Sequence, residues 1–278
     1  MSALLGAVAS VLARTLLKDL KPRDILGVNF LTMAVTLLVI SPIFYSFHPS
    51  LEAFTLLVLV AFIDTLANYF FFKTFEQTEA SVATPILSLA PVFTFLLSWL
   101  VLGDTVKLST YVLSFLILAG IVAFSADFKN FSKFRTQTLQ PAIISSVLFG
   151  ISAVPSKYLL STLHAINPPT LYMFRAALIA IFALLFFNFP LSNISAKHYR
   201  LIFFRGLFVI GQWVLLYFAL AKGNAGVTVI LANITPVFVF ILAAVFLREK
   251  PTVKKVLASV LVLCRLRKTI IHLKIKNG

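Results

Sequence analysis

The sequence predicts an all-α polytopic membrane protein with ten transmembrane helices, the last of them in question, built as two inverted five-helix repeats. Apolar residues make up 60% of the 278-residue chain and charged residues only 12%, whereas a soluble domain has about twice that charged fraction. Long stretches carry no charge, and a helix of about 20 apolar residues crosses the hydrocarbon of a bilayer. In addition, a segment of the first half returns in the second half.

The charge-free stretches predict helices rather than barrel strands, because they are continuously apolar instead of alternating. These stretches are residues 25–51, 80–102, 108–126, 136–156, 176–196 and 223–247. In chain order they predict five spans in each half. The spans of the first half lie near residues 2–17, 25–46, 53–72, 79–102 and 108–126, and those of the second half near 139–160, 170–190, 201–221, 225–247 and 253–264.

The repeated segment runs from Ala80 to Phe95 and returns from Ala225 to Phe240; its core is Pro91-Val-Phe-Thr-Phe95 in the first copy and Pro236-Val-Phe-Val-Phe240 in the second. A charged turn follows each copy. A repeat of this kind in an apolar chain is typical of secondary transporters. Because each half holds an odd number of predicted spans, the second copy must enter the membrane upside down relative to the first.

The longest polar connection of the chain separates the two halves. We assign residues 1–127 to the first five-helix repeat, 128–138 to a linker, and 139–278 to the second repeat with a truncated or disrupted last helix and a basic tail. The first apolar stretch lacks the features of a cleavable signal peptide and is interpreted as a retained span.

The last predicted span is too short to cross the membrane unaided. Its apolar run, residues 256–264, would form roughly 14 Å of helix against a core of about 30 Å. Two interpretations remain: a half-inserted helix with a basic tail on the headgroups, or a disrupted reading frame that replaced a normal last span.

The composition also bears on partners and cofactors. With Cys264 as the single cysteine, an intrachain disulfide and a thiolate metal cluster are excluded. No phosphate-binding loop and no metal-ligand spacing of histidines occurs, so we expect no cofactor, no metal and no direct ATP drive. The net charge of +15 resides mostly in short loops, which predicts contact with the lipid bilayer rather than with nucleic acid.

Lysine and arginine are concentrated in the loops that follow the odd-numbered spans. The positive-inside rule therefore places that side in the cytoplasm and the N-terminus outside.

The approach to each fourth span adds a family resemblance. Tyr69-Phe-Phe-Phe72 and Tyr217-Phe-Ala-Leu220 precede the two proline segments, and together these motifs resemble the EamA-type transporters of the drug/metabolite transporter superfamily. The resemblance implies ten helices, alternating access and export or exchange of small metabolites such as amino acids, nucleotide sugars or cationic drugs. It also implies that both termini are cytoplasmic, against the loop charges. Asn29 stands where the family's second span often has an arginine, a position that the second half fills with Arg175.

Polar residues inside a membrane are costly and are therefore candidates for function. Asp64 and Asn68 share one helical face, and Tyr69 borders it. Asp64 is predicted to couple transport to protons or to bind a cation. The alternative is a structural ion pair with a nearby cation such as Arg14.

Ser88 and Asn233 occupy equivalent positions, three residues before Pro91 and Pro236. These prolines are predicted to bend the fourth spans and free a backbone carbonyl. The two polar side chains are predicted to line a substrate site where the halves meet. The alternative is that they only bond to local carbonyls.

Three further side chains complete the predicted site. Arg175 can hold a substrate carboxylate or phosphate, or it can extend to the membrane interface. Gln212 and Trp213 offer a hydrogen-bonding and stacking surface, although Trp is also a common interface anchor.

The sequence thus predicts a secondary active transporter that moves a small metabolite or drug-like molecule across the plasma (cell inner) membrane. Export by alternating access, with or without proton coupling, is the expected mode. A polytopic membrane enzyme and an inactive membrane protein are the alternatives. Substrate, coupling ion and the choice between monomer and homodimer stay open.

Overall fold

The computed structural model describes residues 1–103, 136–187, 194–232 and 234–247. These residues are helical apart from their connections and one isolated antiparallel bridge, Phe47 to Ile166. The helices of the first half are α1 (Ser2–Leu16), α2 (Pro22–Ile40), α3 (Leu51–Gln77), α4 (Ala80–Leu87) and α5 (Ala90–Leu102). Those of the second half are α6 (Thr136–Lys157), continued by a π-helical turn (Tyr158–Thr162), then α7 (Pro168–Phe187), α8 (Ala196–Lys222), α9 (Ala225–Ala232) and α10 (Thr235–Phe246).

Within the described ranges, six helical segments are long and apolar enough to cross a membrane. They are Pro22–Ile43, Leu51–Gln77, Gln140–Thr162, Pro168–Phe187, Ala196–Lys222 and Ala225–Phe246. Large apolar side chains also cover the outside: Val39 is 73% exposed, Leu185 69% and Phe246 70%. An apolar exterior matches lipid rather than water as the surrounding solvent. The predicted all-helical membrane fold is confirmed. The predicted fifth and tenth spans, most of the linker and Cys264 lie outside the described residues.

Both predicted fourth spans are divided into two helices. In the first half α4 ends at Leu87 and α5 begins at Ala90, and in the second half α9 ends at Ala232 and α10 begins at Thr235. In the first half the junction is a short turn in which Leu89 keeps right-handed helical dihedral angles, at the place where the sequence predicted a bend. The proline of each copy lies in the first turn of α5 or α10, where its missing N–H removes no intrahelical hydrogen bond.

Polar contacts define two opposite ends of the helix bundle. At the first, called here the Asp19 end, His198 Nε2 lies 3.1 Å from Asp19 Oδ2. Arg14 also donates to the backbone carbonyl of Phe75 at 2.6 Å. These contacts gather the last turns of α1 and α3 with the first turn of α8.

At the other end, called the Phe47 end, two loops are joined. The Phe47–Ile166 bridge is reinforced by the His48 N–H, which donates to the Ala165 carbonyl at 2.7 Å. Asn167 Nδ2 donates to the Phe44 carbonyl at 2.6 Å. The α2–α3 loop of the first half is thereby fixed to the loop that precedes α7 in the second half.

The two halves are interleaved rather than side by side. The most extensive helix contacts pair α3 with α6, α2 with α7, α1 with α8 and α5 with α6. At the α5–α6 crossing, a Cβ on Gly150 would lie 2.6 Å from the Ala90 carbonyl oxygen, so glycine permits this close approach. The centre of the bundle is consequently an interface between the halves.

Candidate functional site

A cavity of about 150 Å³ lies at this interface. Helices of both halves enclose it, so neither half contains the site alone. Its polar lining comes from Ser10, Asn68, Thr84, Ser88, Arg205, Gln212, Trp213, Tyr217 and Thr235, and aromatic side chains such as Phe30, Phe71 and Phe149 complete the wall.

Four of the predicted site residues line this cavity: Asn68, Ser88, Gln212 and Trp213. Asn68 Nδ2 donates to the Asp64 carbonyl at 2.8 Å, and Ser88 Oγ donates to the Thr84 carbonyl at 2.9 Å. Each bond is local to its own helix, as the alternative interpretation of Ser88 expected. Asn68 and Ser88 therefore line the cavity and also bond within their own helices, since a hydroxyl or an amide can make further hydrogen bonds.

Gln212 is placed in the cavity wall by a close crossing of α1 and α8. A Cβ on Gly6 would lie 2.8 Å from Gln212 Cδ, so a larger residue at position 6 would displace the amide. Ser2 Oγ donates to the Gln212 carbonyl at 2.9 Å from the same helix. The first turns of α1 therefore position this part of the wall.

Among the lining side chains that the structure describes, Arg205 is the charged one. It is 4% exposed. Its Nη1 donates to Asn29 Oδ1 at 2.7 Å, and its Cζ lies 4.8 Å from the ring centroid of Phe72. The predicted site does not include Arg205, which stands near the start of the predicted span 201–221, where an arginine can also extend to the membrane interface. Its position inside a long apolar run was the signal that could have singled it out.

Asp64 and Arg175 form a buried ion pair between α3 and α7, through Asp64 Oδ2 and Arg175 Nη2. Both side chains are 2% exposed, and Arg175 Nη1 also donates to Ser156 Oγ at 2.9 Å. The interface position considered for Arg175 is therefore wrong. Asp64 does pair with a cation, but Arg14 is not that cation.

The ion pair lies behind the aromatic wall of the cavity. Arg175 Cζ is 5.5 Å from the ring centroid of Trp213 and 5.0 Å from that of Tyr217. Trp213 in turn lies parallel to the ring of Tyr172, with an interplanar angle of 9°. Arg175 is thus positioned to hold these rings, through cation–π contacts, rather than to line the cavity itself.

The remaining predicted residues lie elsewhere. Tyr69 is absent from the lining and stacks on Phe187, with ring centroids 4.6 Å apart. Asn233 lies outside the described residues. Across the described part of the chain, no group of three His, Cys, Asp or Glu residues is arranged to hold a metal ion.

Apolar helices around a cavity at the junction of two sequence repeats define the class: a multi-pass membrane protein built from two repeats. The sequence matches the EamA-like transporter family over residues 1–126 and again over 139–266. The chain therefore belongs to the EamA-like transporter family, and it contains two copies of the family's repeat.

A comparison with solved structures agrees on the fold. A crystal structure of another protein superposes with a TM-score of 0.70, covering 95% of this chain and 94% of that one at 14% identity. At this identity the likeness shows the fold alone. No curated protein matches the sequence.

Proposed function

We propose that the protein is a secondary active transporter that exports a small molecule across the plasma membrane by alternating access. The observation that carries the proposal is the cavity shared by the two repeats. A site between two bodies can be exposed to either side of the membrane when the bodies rock against each other, as in other repeat-built transporters.

The proposed architecture is ten helices in two inverted five-helix repeats. The directions of corresponding helices support inversion: α1 ends near Asp19, at the Asp19 end, whereas its counterpart α6 leads into the loop that pairs with Phe47. Likewise α2 leads toward the Phe47 end, whereas its counterpart α7 begins there. The helix junction beside the cavity-lining Ser88, in the fourth span of the first repeat, supports a site at mid-membrane, where transporters place broken helices.

Proton coupling is the second part of the proposal, with Asp64 as the titrating group. Arg175 pairs with its carboxylate, the Tyr172 hydroxyl interacts with it electrostatically, and Asp64 Oδ1 has no hydrogen-bond partner in the described part of the chain. Protonation of Asp64 would release Arg175, whose guanidinium supports the Trp213 and Tyr217 rings of the cavity wall. A proton could thereby change the shape of the site.

Uptake into proteoliposomes tests both parts. The purified protein is assayed with amino acids, nucleotide sugars and quaternary cations at two pH values, beside Asp64→Asn and the exposed control Asp19→Asn. Saturable uptake of one class supports a transporter, and loss of its pH dependence in Asp64→Asn alone supports coupling. Unchanged pH dependence in Asp64→Asn would remove the coupling proposal. Absence of uptake by folded protein across a broad panel would remove the transport proposal.

A further inference from the structure

The two buried arginines of the bundle differ in how their charges are balanced. Arg175 is paired with the carboxylate of Asp64. Among the described residues Arg205 has no carboxylate partner, and its Nε has no hydrogen-bond acceptor. Its contacts are the amide oxygen of Asn29 and the ring of Phe72. A neutral amide and a ring offset only part of the cost of burying a cation.

A second buried donor shares the cavity. The Tyr217 hydroxyl is fully buried and has no hydrogen-bond partner among the described residues, and Tyr217 lines the same space as Arg205. None of the lining side chains in the described part of the chain is a carboxylate. Within the described residues, the cavity therefore presents a positive charge and an unsatisfied hydroxyl, and no carboxylate that could pair with them.

The size and the walls of the cavity restrict what could supply that anion. A cavity of about 150 Å³ is comparable to one that accommodates benzene, whereas pockets for drug-sized ligands start at about 300 Å³. Phe71, Phe149 and Trp213 give one side an aromatic surface. Trp213 is held in place, since its ring lies parallel to Tyr172 and faces Arg175.

We propose that the cavity binds a small organic monoanion, with its carboxylate on the guanidinium of Arg205 and its apolar body against Trp213 and Phe149. The proposal rests on the transport function proposed above and narrows its substrate class. Nucleotide sugars are too large for the cavity, and cationic drugs carry the same charge as Arg205.

The experiment uses three probes of similar shape and different charge: benzoate, benzamide and benzylamine. The chain has two tryptophans, and Trp99 is 55% exposed on α5, so Trp99→Phe leaves Trp213 as the fluorescent reporter. In full-length Trp99→Phe protein in lipid nanodiscs, benzoate is expected to change the Trp213 emission saturably. Benzamide and benzylamine are expected to bind at least tenfold more weakly.

Variants at Arg205 test whether its guanidinium binds the carboxylate of the ligand. Arg205→Gln should weaken benzoate binding by about tenfold to 100-fold, the range for losing a hydrogen bond to a charged group, and Arg205→Lys should recover part of it. Arg200→Gln is the matched control, because Arg200 is an exposed cation on the same helix. The charge series in protein with native Arg205 remains decisive if Arg205→Gln does not fold.

Uptake of the same probes separates this proposal from the transport function. Benzoate uptake that is lost in Arg205→Gln and kept in Arg200→Gln supports both. Uptake of benzamide or benzylamine in preference to benzoate overturns the anion proposal and leaves the transporter intact. Equal benzoate affinity in Arg205→Gln likewise overturns it. Benzoate binding at Trp213 without uptake of any probe supports the anion site and contradicts transport.

Discussion

Arg175 of the second repeat neutralises Asp64 of the first, and the pair is buried between α3 and α7. Each residue is the charge that makes the other tolerable inside the membrane. The pair also joins the repeats beside the cavity, so it influences both the stability of the bundle and the shape of the site.

Breaking this pair from one side is expected to be strongly destabilising. Arg175→Gln leaves the Asp64 carboxylate buried without a counter-charge and should cost about 3–5 kcal/mol. The double variant Asp64→Asn/Arg175→Gln removes both charges and should be less destabilised than Arg175→Gln alone. Unfolding in detergent, followed by fluorescence, measures the free energy of each variant. A double variant at least as destabilised as Arg175→Gln alone would contradict a direct pair.

The exposed pair at the Asp19 end provides the contrast. Asp19 is 62% exposed and contacts His198. Surface pairs contribute about 0–1 kcal/mol, so Asp19→Asn should change the free energy of unfolding by less than about 1 kcal/mol in the same assay. A loss as large as that of Arg175→Gln would show that this contact organises the bundle.

Asn167 is expected to stabilise the Phe47 end through two separate bonds. Its Oδ1 accepts from the Thr170 N–H at 2.9 Å and caps α7, and its Nδ2 donates to the Phe44 carbonyl. Asn167→Ala should cost about 1–2 kcal/mol, mostly through the lost cap. Asn167→Asp keeps an acceptor for the cap and should recover part of that loss. If Asp and Ala variants unfold at the same temperature, the cap contributes nothing measurable.

The close approach of α5 and α6 depends on Gly150. In Gly150→Ala the new Cβ would meet the Ala90 carbonyl and Phe93 Cβ, both at 2.6 Å. Backbone cannot move aside as a side chain can, so we expect a loss of about 1–3 kcal/mol. In Gly211→Ala the contact is the flexible end of Leu5 at 3.0 Å, and this control should be milder. The melting temperatures of the two variants show whether a clash with backbone destabilises the protein more than a contact with a flexible side chain.

Loop charge predicts that the Asp19 end faces the cytoplasm. In a Cys264→Ser background, a single cysteine at Lys197 tests that end. A single cysteine at Lys222 tests the Phe47 end, since α8 spans roughly 40 Å between them. An impermeant thiol reagent should label Lys222→Cys in intact cells and Lys197→Cys in inverted vesicles. The opposite pattern would agree instead with cytoplasmic termini, as in the family.

The sequence predicted helices, repeats and four lining residues, because each depends on local pattern. Asn68, Ser88, Gln212 and Trp213 are polar or amphipathic side chains within apolar runs, and the cost of burying such groups marks them without any coordinates. Arg205 was not among the predicted site residues, because a place near the start of a predicted helix also fits an arginine at the membrane interface. The tilt and depth of a helix in the membrane depend on the helices packed against it. The sequence alone therefore did not distinguish an arginine that lines the cavity from one at the membrane interface.

By itself the sequence determined that this protein lies in a membrane, that it is helical and that it contains two repeats. Hydrophobicity, charge spacing and proline positions are local properties of the chain, so these features can be read from it. Only the tertiary structure decided that Asp64 pairs with Arg175. It also decided that Arg205, beside the cavity, donates a hydrogen bond to the side-chain amide of Asn29, 176 residues away in sequence. These partners belong to different repeats, and which charges meet depends on how the interleaved helices pack. That packing arises from contacts between residues distant in sequence, which no local pattern encodes.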